Sequence, residues 1–118
     1  MNYLFLLYSD ESESPETPTD DAGFAAMMEP WNVYTEALTE AGVMRGGEAL
    51  HPTSAATTLS RLDGEVVYTD GPFAETREQL GGYYIVECDD LDAALGWAAK
   101  CPVMGYGRVE VRPIMNLG

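Results

Sequence analysis

The sequence is short of positive charge. Only six of its 118 residues are Lys or Arg, against 20 Asp or Glu, and the formal net charge is -14. No basic side chain precedes Arg45. A duplex-binding protein displaces counterions from phosphate with a basic stripe, and an anionic membrane surface calls for the same sign of charge. Nucleic acid and membrane are therefore excluded as partners, and the acidity reads as a solvated surface. Histidine is scarcer still: His51 is alone, which rules out a two-histidine transition-metal site.

Cysteine is limited to Cys88 and Cys101. Two thiols cannot build the framework of a small secreted scaffold, and their spacing fits no zinc pattern. Both are expected to be small buried hydrophobes. No apolar run approaches the roughly 20 residues of a membrane span. The opening "MNYLFLLYSD" lacks the basic start of a signal peptide, so the cytoplasm is the expected location. P-loop, dinucleotide-fold, EF-hand and nucleophile-elbow patterns are all missing. No cofactor and no metal are expected.

What is present is enough apolar material, 46%, for one packed domain over residues 1–118. "NYLFLLY" (Asn2–Tyr8) reads as a buried strand. An acidic, proline-bearing loop, taken as residues 9–23, follows. Phe24, Met27, Met28, Trp31, Tyr34, Leu38 and Ala41 then recur at helical steps. Pro30 interrupts that stripe, which predicts a kink near Glu29 or a second helix starting at Pro30. Gly42 supplies a left-handed stop. Trp31 and the methionines are read as core.

Beyond a glycine-loosened segment lies a β-leaning run (Ala55–Leu62). A turn at Asp63-Gly64 and the strand "EVVYT" complete a hairpin. "GGYYIVEC" is another strand. Asp89 or Asp90 caps a helix whose face is Leu91, Ala94, Leu95 and Ala98; Gly96 inside it suggests a close approach to the sheet. Lys100 suits the negative end of that helix, Pro102 stops it, and "GRVEVRPIM" (Gly107–Met115) is the last strand. The order predicts an α+β fold, a ferredoxin-like βαββαβ plan with an extra hairpin.

The stretch "TDGPFAETREQLGGYYIVECDDLDAALGWAAKCPVMGYGRVEVRPI" resembles the DGPF proteins, a branch of the YCII-related family, as do "YLFLLY" and "AGVMRGGEAL". The resemblance implies a ferredoxin-like domain that pairs face to face as a dimeric α/β barrel, with a second copy of itself as partner. It implies no established reaction, although some members are associated with sigma factors. Related proteins are proposed to use a histidine on the first helix and an aspartate in an Asp-Pro dipeptide after the second. Here the first helix has no histidine, and the dipeptide is Cys101-Pro102.

Within the DGPF stretch, Asp70 is suited to an Asx turn, Gly71 before Pro72 to extended backbone, and Phe73 to anchoring the loop in the core. Glu75, Thr76, Arg77 and Glu78 suit a short helical turn or a curled loop. Gly81-Gly82 lets the backbone bend or approach a ligand. In the last strand Arg108, Glu110 and Arg112 share one face; Arg112 can pair with a carboxylate such as Glu75 or Glu78, or bind an anion. One of Tyr83 and Tyr84 faces outward. The expected ligand set is Asp70, Glu75, Arg77, Tyr83 and Arg112, holding a small polar or anionic molecule in a cleft near the dimer interface. Two rival readings stand beside it. One is an enzyme with Asp70 or Glu75 as base and His51 or a tyrosine as proton donor; the other is an interaction module tied to sigma-factor regulation.

Overall fold

Alternation of apolar residues dictates the centre of the molecule. In the computed structural model, which describes residues 1–13 and 16–118, strand β1 (Asn2–Ser9) buries Tyr3, Phe5 and Leu7 on one face. Its neighbour β5 (Gln79–Glu87) buries Tyr84 and Val86 on the same face, followed by Cys88. Strand β2 (Met44–Ala49) and strand β6 (Arg108–Pro113) flank this pair, giving the antiparallel order β2-β5-β1-β6. Both helices cover the one buried face. Tyr34 and Leu38 of α1 (Asp21–Glu40) and Ala94 and Ala98 of α2 (Leu91–Ala98) complete the core cluster. The result is a mixed α+β fold, compatible with the ferredoxin-like plan, and no described helix is long and apolar enough to cross a membrane.

Helix α1 begins earlier than its stripe of apolar residues. Asp20 caps it by accepting from the Gly23 amide at 2.9 Å, so the loop before it ends at Asp20. Residues 14 and 15 of that loop lie outside the described residues. The helix runs as one element through Pro30, so the expected alternative of a second helix starting at Pro30 is not taken. Pro30 and Ala26 are both exposed, so the Ala26 carbonyl that loses its amide partner is left facing water rather than core. Gly42 ends the turn at φ +76°. The Tyr34 hydroxyl donates to the Trp97 carbonyl at 2.8 Å and ties α1 to α2.

Asp90 caps α2 through the Ala93 amide, as the sequence indicates. Leu91 and Leu95 are nearly half exposed, so only the alanines of that face reach the core. Gly96 has open space where a Cβ would stand, which overturns the expected close approach to the sheet. The Lys100 ammonium lies over the Trp97 ring, 4.9 Å from its centroid. A 3-10 turn (Pro102–Gly105) begins at Pro102. Cys88 and Cys101 are free and buried, and burial pushes both thiols up.

The extra hairpin stands apart from this body. Strands β3 (Thr57–Leu62) and β4 (Glu65–Asp70) pair only with each other among the described residues. They are joined by the expected Asp63-Gly64 turn at φ +50° and +85°.

Gly96→Ala should stabilise the protein by roughly 0.5–1 kcal/mol, because the site is helical, exposed and unobstructed. Urea unfolding measures this; a loss of stability would mean that the glycine is required there.

Candidate functional site

Where α1 leaves the sheet near its β2 edge, a cavity of about 450 Å³ opens, within the range of small-molecule sites. Its floor is nearly free of side chains. The register puts Gly47 opposite Tyr84 and Ala49 opposite Gly82, on the face that the helices cover. The strands approach too closely there for anything larger. A Cβ on Gly47 would lie 2.8 Å from the Tyr83 carbonyl oxygen, and one on Gly82 would lie 2.9 Å from that of Glu48.

The walls are apolar and aromatic. Met27, Met28 and Trp31 of α1, Leu7 of β1, Met44 of β2, and Val103 and Tyr106 beyond α2 surround the space. Ser9, Asn32, Thr35, Tyr84 and Tyr106 supply its polar groups, all uncharged. Thr35 and Tyr84 share a hydrogen bond of 3.0 Å between their hydroxyls, and the Tyr84 ring meets Tyr34 edge-on, 5.4 Å between centroids. Burial raises the pKa of both Tyr34 and Tyr84 above the ordinary tyrosine range. Tyr106 shifts the same way, again chiefly through burial. These phenols keep their protons at neutral pH, and those of Tyr84 and Tyr106 line the cavity. No Lys or Arg lines the cavity. Glu48 and Tyr83 border it, but their register positions send both side chains to the opposite sheet face.

The expected ligand set lies outside this cavity, apart from Tyr83 at its border. Asp70 ends β4 and is exposed, and two residues on, Pro72 has no N–H to donate to an Asx turn. Gly71 adopts φ +95° rather than extended backbone, and its amide donates to the Ala56 carbonyl. Phe73 is 90% exposed and anchors nothing in the core of its own chain. Glu75 and Arg77 lie in an exposed curled loop; Thr76 Oγ1 and the Gln79 side chain hold its end, through the Glu78 and Thr76 carbonyls respectively. The Arg77 charge acts on Asp10, whose carboxyl is lowered first by its hydrogen bonds from Ser12.

On β6 the ion pair to Glu78, at 2.8 Å, belongs to Arg108, while Arg112 sits 3.8 Å from Glu110. His51 is exposed in the loop after β2. None of Asp70, Glu75, Arg77, Arg112 and His51 lines the cavity. Trp31 packs against the core, as expected, and also forms cavity wall, where half-buried Met27 and Met28 join it. The legible signal for this site was the pair of Gly-Gly steps, Gly46-Gly47 and Gly81-Gly82, which fall on adjacent strands.

The description of the YCII-related domain fits residues 1–117. The chain belongs to the YCII-related family. An uncharacterized protein of Rhizobium meliloti (strain 1021) is 37% identical over 116 residues, which is 97% of this chain and 92% of that protein. Among solved structures, the fold is similar to 5-chloro-2-hydroxyhydroquinone dehydrochlorinase (TftG) from Burkholderia phenoliruptrix AC1100, in complex with 2,5-dihydroxybenzoquinone. The TM-score is 0.50 at 13% identity, covering 98% of this chain and 94% of the other; at that identity the likeness concerns the fold alone. The histidine–aspartate pair that the resemblance attaches to related proteins has no counterpart here. Cys101 is buried and its thiol is held neutral by that burial.

The raised phenols make stability depend on pH. A folded-state pKa above the unfolded value near 10 gives a contribution that is complete below about pH 10 and lost as pH climbs further. Denaturation midpoints should hold from pH 7 to 9 and fall above about pH 10. Tyr34→Phe should make that fall shallower, while costing about 1 kcal/mol at neutral pH for the lost bond to Trp97. An unchanged alkaline slope in the variant would contradict this account.

Proposed function

We propose that the chain is a homodimeric binding protein whose α1–sheet cavity holds a small, neutral, ring-shaped molecule bearing hydroxyl or carbonyl groups. The observation that carries this reading is the uncharged lining: an aromatic and thioether wall over a backbone floor, with protonated phenols as donors. Thioethers and aromatic faces suit a flat ring. The absence of a lining cation argues against an anion, because a carboxylate or phosphate buried there would lack a partner. The sequence-based expectation of a polar or anionic ligand is narrowed accordingly. A carboxylate-based reaction has less support, since no Asp or Glu side chain is directed into the cavity by the register. An interaction module would need no cavity at all.

Support for a dimer comes from the sheet's other face. Leu4, Leu6 and Tyr8 of β1 align there with Leu80, Tyr83 and Ile85 of β5, and no described helix covers them. A twin copy packed face to face would remove this apolar strip from water, as a dimeric barrel does. Light scattering at micromolar concentration should give twice the 12.9 kDa chain mass; a monomer would defeat the pairing.

Dihydroxybenzenes such as hydroquinone should raise the melting temperature and quench tryptophan fluorescence, while aliphatic dicarboxylates and phosphates should do neither. Trp31→Ala should abolish the response, and Arg112→Ala should leave it intact. A shift produced by anions and lost in Arg112→Ala would favour the charged strand face as the binding site instead.

A further inference from the structure

The body of this chain is complete without its hairpin, yet the hairpin is braced. The Glu11 carboxylate accepts from both the Thr53 amide, at 2.9 Å, and the Thr53 hydroxyl, at 2.7 Å, just before β3. Thr58 Oγ1 donates to the Gly71 carbonyl at 2.7 Å across the base. Past that base the arm is bare. Leu59 pairs with Tyr68 and Arg61 with Val66, so Leu59, Tyr68 and Val66 share one face. Leu59 is 57% exposed and Tyr68 70%. An isolated two-stranded hairpin is at best marginally stable in water, so a held but uncovered arm calls for a cover.

Surface area indicates the cover's size. A compact monomer of 12.9 kDa exposes about 6,300 Å² by the usual mass scaling, whereas this chain exposes 8523 Å². The radius of gyration is 16.5 Å, against roughly 13.5 Å for a compact domain of this length. If two copies each hid that excess, they would bury about 4,400 Å² in total, inside the range of obligate homodimers. The bare sheet face supplies part of this area and the arm another part, both from one chain.

We infer that the β3–β4 arm docks on a second copy of this chain, laying its Leu59–Val66–Tyr68 face against the twin beyond the edge of the paired sheets. The inference rests on the face-to-face pairing, because only then does the twin lie within reach of a strand pair about 20 Å long. The arm thereby extends an apolar sheet interface into a mutual clasp, and each protomer braces its own arm through Glu11.

Two measurements on the full chain test this. With the photoreactive residue p-benzoylphenylalanine in place of Tyr68, irradiation should trap a covalent dimer, and the same residue in place of Glu36 on the exposed side of α1 should trap none. The double variant Leu59→Glu, Tyr68→Glu should raise the dimer dissociation constant at least a hundredfold in a sedimentation dilution series. If the native chain is dimeric but position 68 traps no second copy and the variant dissociates at the native concentration, the clasp is overturned and the sheet pairing survives. If the native chain is monomeric, both fall.

Discussion

The contact between Tyr84 and helix α1 sets the stand-off on which the rest of the molecule depends. Tyr34 meets the Tyr84 ring edge-on and Thr35 meets its hydroxyl, so the middle of the helix is fixed at the height of a tyrosine above β5. One turn and two turns earlier, Trp31 and the methionines remain at that height while the strands beneath them carry glycine and alanine. The gap is the cavity. A tall residue and a missing residue on the same sheet face, held apart by one rigid helix, are enough to make a site without any loop closing over it.

The same economy shapes the outside. Two helices cover one face of the four-stranded sheet, and no described helix covers the other. β1 and β5 consequently alternate between fully buried and partly exposed apolar residues, rather than between apolar and polar ones. β6 instead places charges on the open face, with Arg108 engaged by Glu78. The open face is thus apolar along its centre and charged along one margin, the usual arrangement of a surface that meets a partner at its core and water at its rim.

Much of the fold was legible because its signals are local. Asp63-Gly64 needs positive φ at both residues, Asp90 needs only the amide three residues on, and Gly42 needs only the end of a helix. Pro30 left two outcomes open for a physical reason: its penalty depends on whether the orphaned carbonyl is buried, which depends on which side of the helix faces the sheet. The site was harder still. A stripe such as Met27, Met28 and Trp31 reports that something apolar lies opposite, but a core and a cavity leave the same periodicity. The two Gly-Gly steps sit 35 residues apart in sequence, and only the β2–β5 register makes them one floor. The DGPF loop stands out through its charge and its proline, features that a solvated turn shares with a catalytic loop.

The most direct test is to record amide and indole NMR spectra of isotope-labelled protein while hydroquinone, a ring that stays neutral at pH 7, is added. Shifts concentrated at Gly47, Ala49, Gly81, Gly82 and the Trp31 indole are predicted. Shifts confined to the segment from Asp70 to Arg77 and to Arg112, with the floor glycines unmoved, would contradict the account.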